Sequence, residues 1–257
     1  MSARTALVGG GAAGIGYAVA ARLAPTHRVV ITGRTAPSLE AAALRLKEEI
    51  GAAVGTLVND IADPASAATA MAALEDRSAR LDVLVLNAGG PAPGRILDVA
   101  DEDWRTGAEL LLVGPLRLAR LALPGMAERG FGRIVFVTST AVRQPQPDLA
   151  VSVVLRAAVT TAAKLLSREF AAAGVTVNCV APGPTDTQRR RDILAARSAR
   201  TGQPVGELDA LDTASVPAGR AGSADEIAAA VEFLVSAQAS FVNGTVLTVD
   251  GGRTETI

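Results

Sequence analysis

The 257-residue sequence holds one cysteine, one histidine, one tyrosine and two lysines, and each scarcity removes a class of chemistry. Cys179 alone cannot form an intrachain disulfide or a thiolate zinc cluster. His27 alone excludes a histidine-rich metal site, and any Ser-His-Asp triad would have to use it. Net charge is also nearly absent. The 25 Lys+Arg against 26 Asp+Glu leave −1, so no whole-molecule field draws the chain to nucleic acid or an anionic membrane. The apolar stretch from Ala6 to Ala24 reads neither as a signal peptide nor as a membrane span, because Gly9, Gly10, Gly11, Gly14 and Gly16 crowd it without a cleavage site or stop-transfer flank. A cytoplasmic chain is expected, and a lone cysteine fits that compartment.

What is present is a regular alternation. β-branched runs at Ala6–Val8, Arg28–Thr32, Val54–Asn59, Leu81–Leu86, Arg133–Thr138, Val175–Val180 and Thr245–Val249 read as strands. Helical patterns lie between them at Ile15–Leu23, Ser38–Ile50, Pro64–Arg77, Glu102–Arg129, Ala150–Ala173 and Ser223–Ser236. Continuous apolar strands with helical crossovers predict an α/β fold. It is a single doubly wound domain over 1–257, with a seven-stranded parallel sheet covered by helices on both faces. The polar stretch Thr185–Ala221, carrying Arg189, Arg190, Arg191, Arg197 and Arg200, follows a strand's carboxyl end and reads as a substrate lid. Its arginines are candidates for an acidic substrate, against the plainer reading of a solvated helix face. Cys179 reads as a packed strand residue, His27 as a surface residue and Trp104 as a packing residue.

The first strand runs into Val8-Gly9-Gly10-Gly11-Ala12-Ala13-Gly14-Ile15-Gly16 and then an amphipathic helix. Glycines there let the backbone approach a pyrophosphate, which the helix N-terminus then attracts. The second strand ends Ile31-Thr32-Gly33-Arg34-Thr35, without the acidic residue that would bind the ribose 2′-hydroxyl of NAD. Arg34 stands where a 2′-phosphate would lie, so NADP(H) is preferred over NAD(H).

These motifs, in this order, resemble the short-chain dehydrogenase/reductase family, a Rossmann-type family, and within it the 3-oxoacyl-[acyl-carrier-protein]-reductase-like members. Gly10, Gly14 and Gly16, with Ile15 between them, match the family's glycine turn, with Gly9 replacing its Thr. Asp60 matches an adenine-contacting Asp, and Asn87-Ala88-Gly89 matches the end of NNAG with Leu86 for the first Asn. Asn178, Pro182, Gly183 and Thr187 match the segment leading under the nicotinamide, and Asn243-Gly244 through Gly252 the last strand. The resemblance implies a small-molecule carbonyl or hydroxyl substrate, a nicotinamide over the strands' carboxyl ends and a homotetramer.

The catalytic positions depart from the family. Ser139 matches its Ser, but the Tyr thirteen residues on is Ser152, the Lys four further is Arg156, and the Asn position is Leu111. Tyr17 follows the glycine turn and cannot substitute, and Lys164 points roughly 80° away round the helix from Arg156. A phenol beside a cation is an adjustable acid, whereas a serine hydroxyl is weaker and shorter, and an arginine cannot pass a proton on. Ser139 with Ser152, a water or the neighbouring Asp148 remain as proton donors, and Arg156 can still hold ribose hydroxyls. Three functions compete. They are an NADP(H)-dependent oxidoreductase acting on a ketone or secondary alcohol with Ser139, Ser152 and Arg156 as its altered catalytic set, a non-catalytic NADP-binding or scaffold protein, and a cofactor-independent lyase resembling halohydrin dehalogenases. The last carries Arg at the Lys position but keeps the Tyr and rebuilds the glycine turn, which here is intact.

Overall fold

The structure is a computed structural model and describes residues 3–76 and 80–256, so Arg77, where the third helical pattern was expected to end, lies outside the described residues. Seven parallel strands form one sheet: β1 (Arg4–Gly9), β2 (His27–Gly33), β3 (Gly55–Val58), β4 (Leu81–Leu86), β5 (Gly132–Val137), β6 (Val175–Pro182) and β7 (Val246–Val249), in the order β3-β2-β1-β4-β5-β6-β7. Every residue of β5 and β6 is buried, Arg133, Thr176 and Asn178 included, as strands covered on both faces require.

The helices divide between the two faces. α1 (Gly14–Leu23), α2 (Ala36–Ile50) and α9 (Ala224–Val235) cover one core built on Val8, Ile31, Val85, Val135 and Val180. α3 (Pro64–Asp76), α5 (Gly114–Glu128) and α6 (Ala150–Glu169) cover the other, built on Leu7, Leu84, Ile134, Phe136 and Val177. Chain order reverses between β1 and β4, the switch point at which open α/β sheets bind ligands. Two helical stretches, 101–128 and 150–169, are long and apolar enough to cross a membrane, yet their apolar faces lie against this sheet.

Three readings of the sequence need correction. The pattern 102–129 is not one regular helix. α4 (Asp101–Ala108) passes through a π-turn at Glu109–Val113 into α5, where Gly114 comes so close to the Ile61 carbonyl that a Cβ would stand 2.0 Å from it. The helix from Ala150 stops at Glu169, and a 3₁₀ turn at Ala171–Ala173 closes on Gly174 at φ 72°. His27 is half-buried at the start of β2, where burial pushes its imidazole below the ordinary histidine range. Cys179 is buried as expected, and its thiol is pushed up to about 12 by that burial.

Candidate active site

The site is floored by the carboxyl ends of β1, β4, β5 and β6. Beyond β1, Gly10 and Gly14 take φ of 59° and 55°, values that a side chain would strain. A Cβ on Gly16 would stand 2.2 Å from the Gly10 carbonyl oxygen, so only glycine lets α1 start against the turn. The first turn of α1 has neither a side-chain cap nor an acidic residue, which leaves its leading amides free for an anion. Asn87 Nδ2 donates to the Gly9 carbonyl at 3.2 Å and braces the end of β4 against the turn. Beside it, a Cβ on Gly89 would meet nothing within 4 Å, so the groove in front of this loop is open.

One cavity of about 660 Å³ runs from Arg34, Thr35 and Ser38 past Asp60 to Asn87, Ala88, Gly89 and Gly90. Asp60 spends one carboxylate oxygen on the Ala62 amide at 3.1 Å. Arg34 is exposed and makes no side-chain hydrogen bond among the described residues. A second cavity of about 340 Å³ shares Gly10, Ala13 and the 87–90 loop with the first, and carries the groove on over Gly14 and Ile15. It ends among Ser139, Ser152, Arg156, Pro182, Gly183 and Thr187. The structure therefore brings the expected catalytic and cofactor-binding residues to one continuous groove except Gly16, which lies beneath the turn, whereas Asp148, Asn178, Arg191 and Arg200 do not line it.

At the inner end, Ser139 Oγ accepts from the Ala141 amide at 3.1 Å. Ser152 and Arg156 lie one turn apart on α6, and Arg156 Nε donates to Ser152 Oγ at 3.2 Å. The guanidinium also donates from Nη1 to the Val137 carbonyl at 2.7 Å and from Nη2 to the Gly89 carbonyl at 3.5 Å. Burial, reinforced by the charge of Arg189, pulls it down to about 10, and it stays a cation at neutral pH.

The stretch 185–221 forms two helices, α7 (Gln188–Thr201) and α8 (Val205–Ala214). Thr187 caps α7, and its methyl lies 3.5 Å from where a Cβ on Gly14 would stand, so α7 begins directly over the glycine turn. Arg190 pairs with Asp209 and Asp212, Arg191 with Asp186, and Arg197 and Arg200 with Asp148. Asp148, a proton-donor candidate from the sequence, is thus buried beneath α7. Burial raises its carboxyl, but the Arg197 hydrogen bonds and the two arginine charges outweigh that and hold it below the usual range. An ionised, doubly paired carboxylate is a poor proton donor.

A family model described as Enoyl-(Acyl carrier protein) reductase matches residues 10–254. The 3-oxoacyl-[acyl-carrier-protein] reductase FabG of Escherichia coli (strain K12) is 33% identical over 249 residues, covering 97% of this chain and 96% of its own. The chain belongs to the short-chain dehydrogenase/reductase family. The NADPH-dependent reductase BacG of Bacillus subtilis (strain 168) is 30% identical over 263 residues, with complete coverage of both chains. The crystal structure of an actinorhodin polyketide ketoreductase with NADPH superposes with a TM-score of 0.94 at 32% identity, covering 99% of this chain and 98% of that one.

Within this short-chain family fold the unusual positions are physically occupied. Leu111 lies in the π-turn, buried in a small apolar cluster with Val151 and Leu155, and has no amide to hold a water. Tyr17 is bound to Glu49 and stacked on by Arg45 at 4.2 Å, outside the groove. Lys164 donates to the Gly244 carbonyl at 3.0 Å, also outside it. Asn178 ties β6 to the approach of β7 through Val242 and Thr245. Sequence reasoning missed Thr35, Ser38, Gly90, Gln146 and Leu149, all of which line the groove. Thr35 and Ser38 were legible as the polar residues flanking Arg34, whereas nothing local marks the others.

Proposed function

We propose that this protein is an NADP(H)-dependent ketoreductase that interconverts a ketone and a secondary alcohol with a non-standard acid–base set. The observation that carries the reading is the intact cofactor half of the groove. The glycine turn leaves room for a pyrophosphate where a Cβ would obstruct it, and α1 presents free amides to it. Arg34, with the Thr35 and Ser38 hydroxyls, fits a 2′-phosphate at the far mouth. The NADPH-dependent BacG and the NADPH-bound ketoreductase support the same cofactor.

When bound, NADPH supplies the hydride. Ser139 Oγ, already accepting from Ala141, keeps its own proton for the carbonyl oxygen of the substrate. Ser152 Oγ accepts from Arg156, which makes its hydroxyl a stronger donor toward the same cavity. Arg156, fixed by Val137, offers one remaining N–H group to a ribose hydroxyl. Residues 185–221 act as the lid of a single domain spanning 1–257. The assembly is a homotetramer, and the compartment the cytoplasm.

Titration calorimetry of cofactor-stripped protein tests the reading. Micromolar NADPH binding with weaker NADH, followed by ketone-dependent NADPH oxidation, is the expected result, and failure to bind NADPH rejects it. A second reading, a cofactor-binding chain without turnover, draws on buried Leu111, where a relay water loses its anchor. It predicts NADPH binding with no oxidation that Ser139→Ala or Arg156→Ala alters.

A further inference from the structure

Five arginines line the inner cavity: Arg156, Arg189, Arg190, Arg197 and Arg253. Three are neutralised by carboxylates, since Arg190 pairs with Asp209 and Asp212, Arg197 with Asp148, and Arg253 with Asp212. Arg156 and Arg189 form no ion pair among the described residues. Their hydrogen bonds go to the Ser152 hydroxyl and to the carbonyls of Val137, Gly89 and Pro91. The acid nearest Arg189 along α7, Asp192, is exposed and accepts instead from Gln188 at 2.8 Å.

The position of Arg189 is built into the loop opposite. Its Nη2 donates to the Pro91 carbonyl at 2.7 Å. A Cβ on Gly90 would stand 2.6 Å from Nη2 and 2.9 Å from both Cζ and Nε, so the guanidinium lies flat on a backbone that only glycine leaves bare. Arg156 and Arg189 therefore meet the same short loop, at Gly89 and Pro91, and the charge of Arg189 joins burial in lowering Arg156. Two desolvated like charges without a counter-ion are costly unless a ligand supplies one. The anions of the cofactor have their own receptors in the amides of α1 and in Arg34, at the other parts of the groove.

We propose that Arg156 and Arg189 form a carboxylate-recognition pair, so that the ketone substrate is an oxo acid rather than a neutral ketone. The inference rests on the ketoreductase reading above. Each guanidinium retains N–H groups beyond those already spent, and a planar carboxylate matches them. Gly90 is then a specificity-determining position, because it lets Arg189 reach the cavity.

The test is titration calorimetry of the NADP⁺-saturated protein with 2-oxo-4-phenylbutanoate and with its ethyl ester. The acid should bind about tenfold or more tightly than the ester, the magnitude of a charge-assisted hydrogen-bond pair. Arg189→Ala should erase most of that ratio and leave the NADP⁺ dissociation constant unchanged, and Gly90→Ala should lower the ratio as well. Arg191→Ala, whose arginine pairs with exposed Asp186, should keep the ratio. Equal binding of acid and ester, or no millimolar binding of either, overturns the proposal. So does an Arg189→Ala protein that loses NADP⁺ affinity while keeping the acid, because the cations then serve the cofactor's phosphates. Failure of NADP⁺ to bind would instead overturn the ketoreductase reading, and the acid-to-ester ratio is still read on the free protein.

Discussion

A serine at position 152 changes what the cleft can do more than any other substitution in it. Its hydroxyl is far less acidic than a phenol and ends nearer the backbone, so the proton it donates starts from a different point. Arg156 compensates only in part, because it polarises the hydroxyl through Nε yet cannot exchange protons itself. Restoring the pair as Ser152→Tyr with Arg156→Lys should therefore raise single-turnover NADPH oxidation by about 10²–10⁴, the usual worth of a positioned general acid. An unchanged or lower rate in a protein that still binds NADPH would mean that Ser152 and Arg156 are the working set. At the opposite mouth, Arg34 is exposed and makes no side-chain hydrogen bond among the described residues, so its charge is available to a phosphate. Arg34→Ala should weaken NADPH binding by about tenfold or more and leave NADH binding nearly untouched. A parallel loss for both cofactors would show that Arg34 does not read the 2′-phosphate.

At the level of elements, the sheet was legible and the pairing of the arginines in 185–221 was not. Runs such as Val83–Leu86 and Ile134–Val137 are apolar at every position, which only a strand covered on both faces demands, and β4 and β5 stand there. The π-turn at Glu109–Val113 left no trace because Leu110, Leu111 and Leu112 continue a helical apolar pattern, and the distortion comes from the close approach of Gly114 to Ile61. The glycine turn was readable because close backbone approach has a residue signature, whereas the partners of the lid arginines are set by tertiary packing. Asp148 illustrates this, since its partners Arg197 and Arg200 stand 49 and 52 residues away. The same contact anchors α7 and makes a prediction about pH. Because the carboxyl of Asp148 is held below its usual range, the folded chain binds that proton more weakly than the unfolded chain does. The anchor's contribution is complete above the unfolded value near ~3.9 and is lost as pH falls through the folded value. Asp148→Asn should cost about 1–3 kcal/mol at neutral pH, reduced from a fully buried pair because both arginines reach solvent. Amide exchange should rise along α7, and the difference from wild type should vanish in acid. A uniform loss at all pH values would place the effect in packing rather than charge.

At the scale of the whole molecule, the fold leaves large apolar side chains exposed on the helices of both sides of the sheet. Leu121 on α5 with Val154 and Leu165 on α6 are exposed over one core, and Phe233 on α9 over the other. Phe241, fully exposed, lies five residues before the start of β7, which pairs only with β6 and leaves its outer edge without a strand among the described residues. A monomer gains nothing by exposing such residues in groups, and an open strand edge invites pairing. A tetramer with crossed two-fold axes uses two separate faces, each closing one dimer, and these two sides can serve as such faces. The proposed homotetramer thus has a specific way to come apart. Wild-type protein should scatter light as four subunits, Leu165→Glu and Phe241→Asp should each yield dimers, and the two together monomers. A monomeric wild type would end the proposal, and a single variant that dissolves the assembly completely would show that one face holds all four subunits.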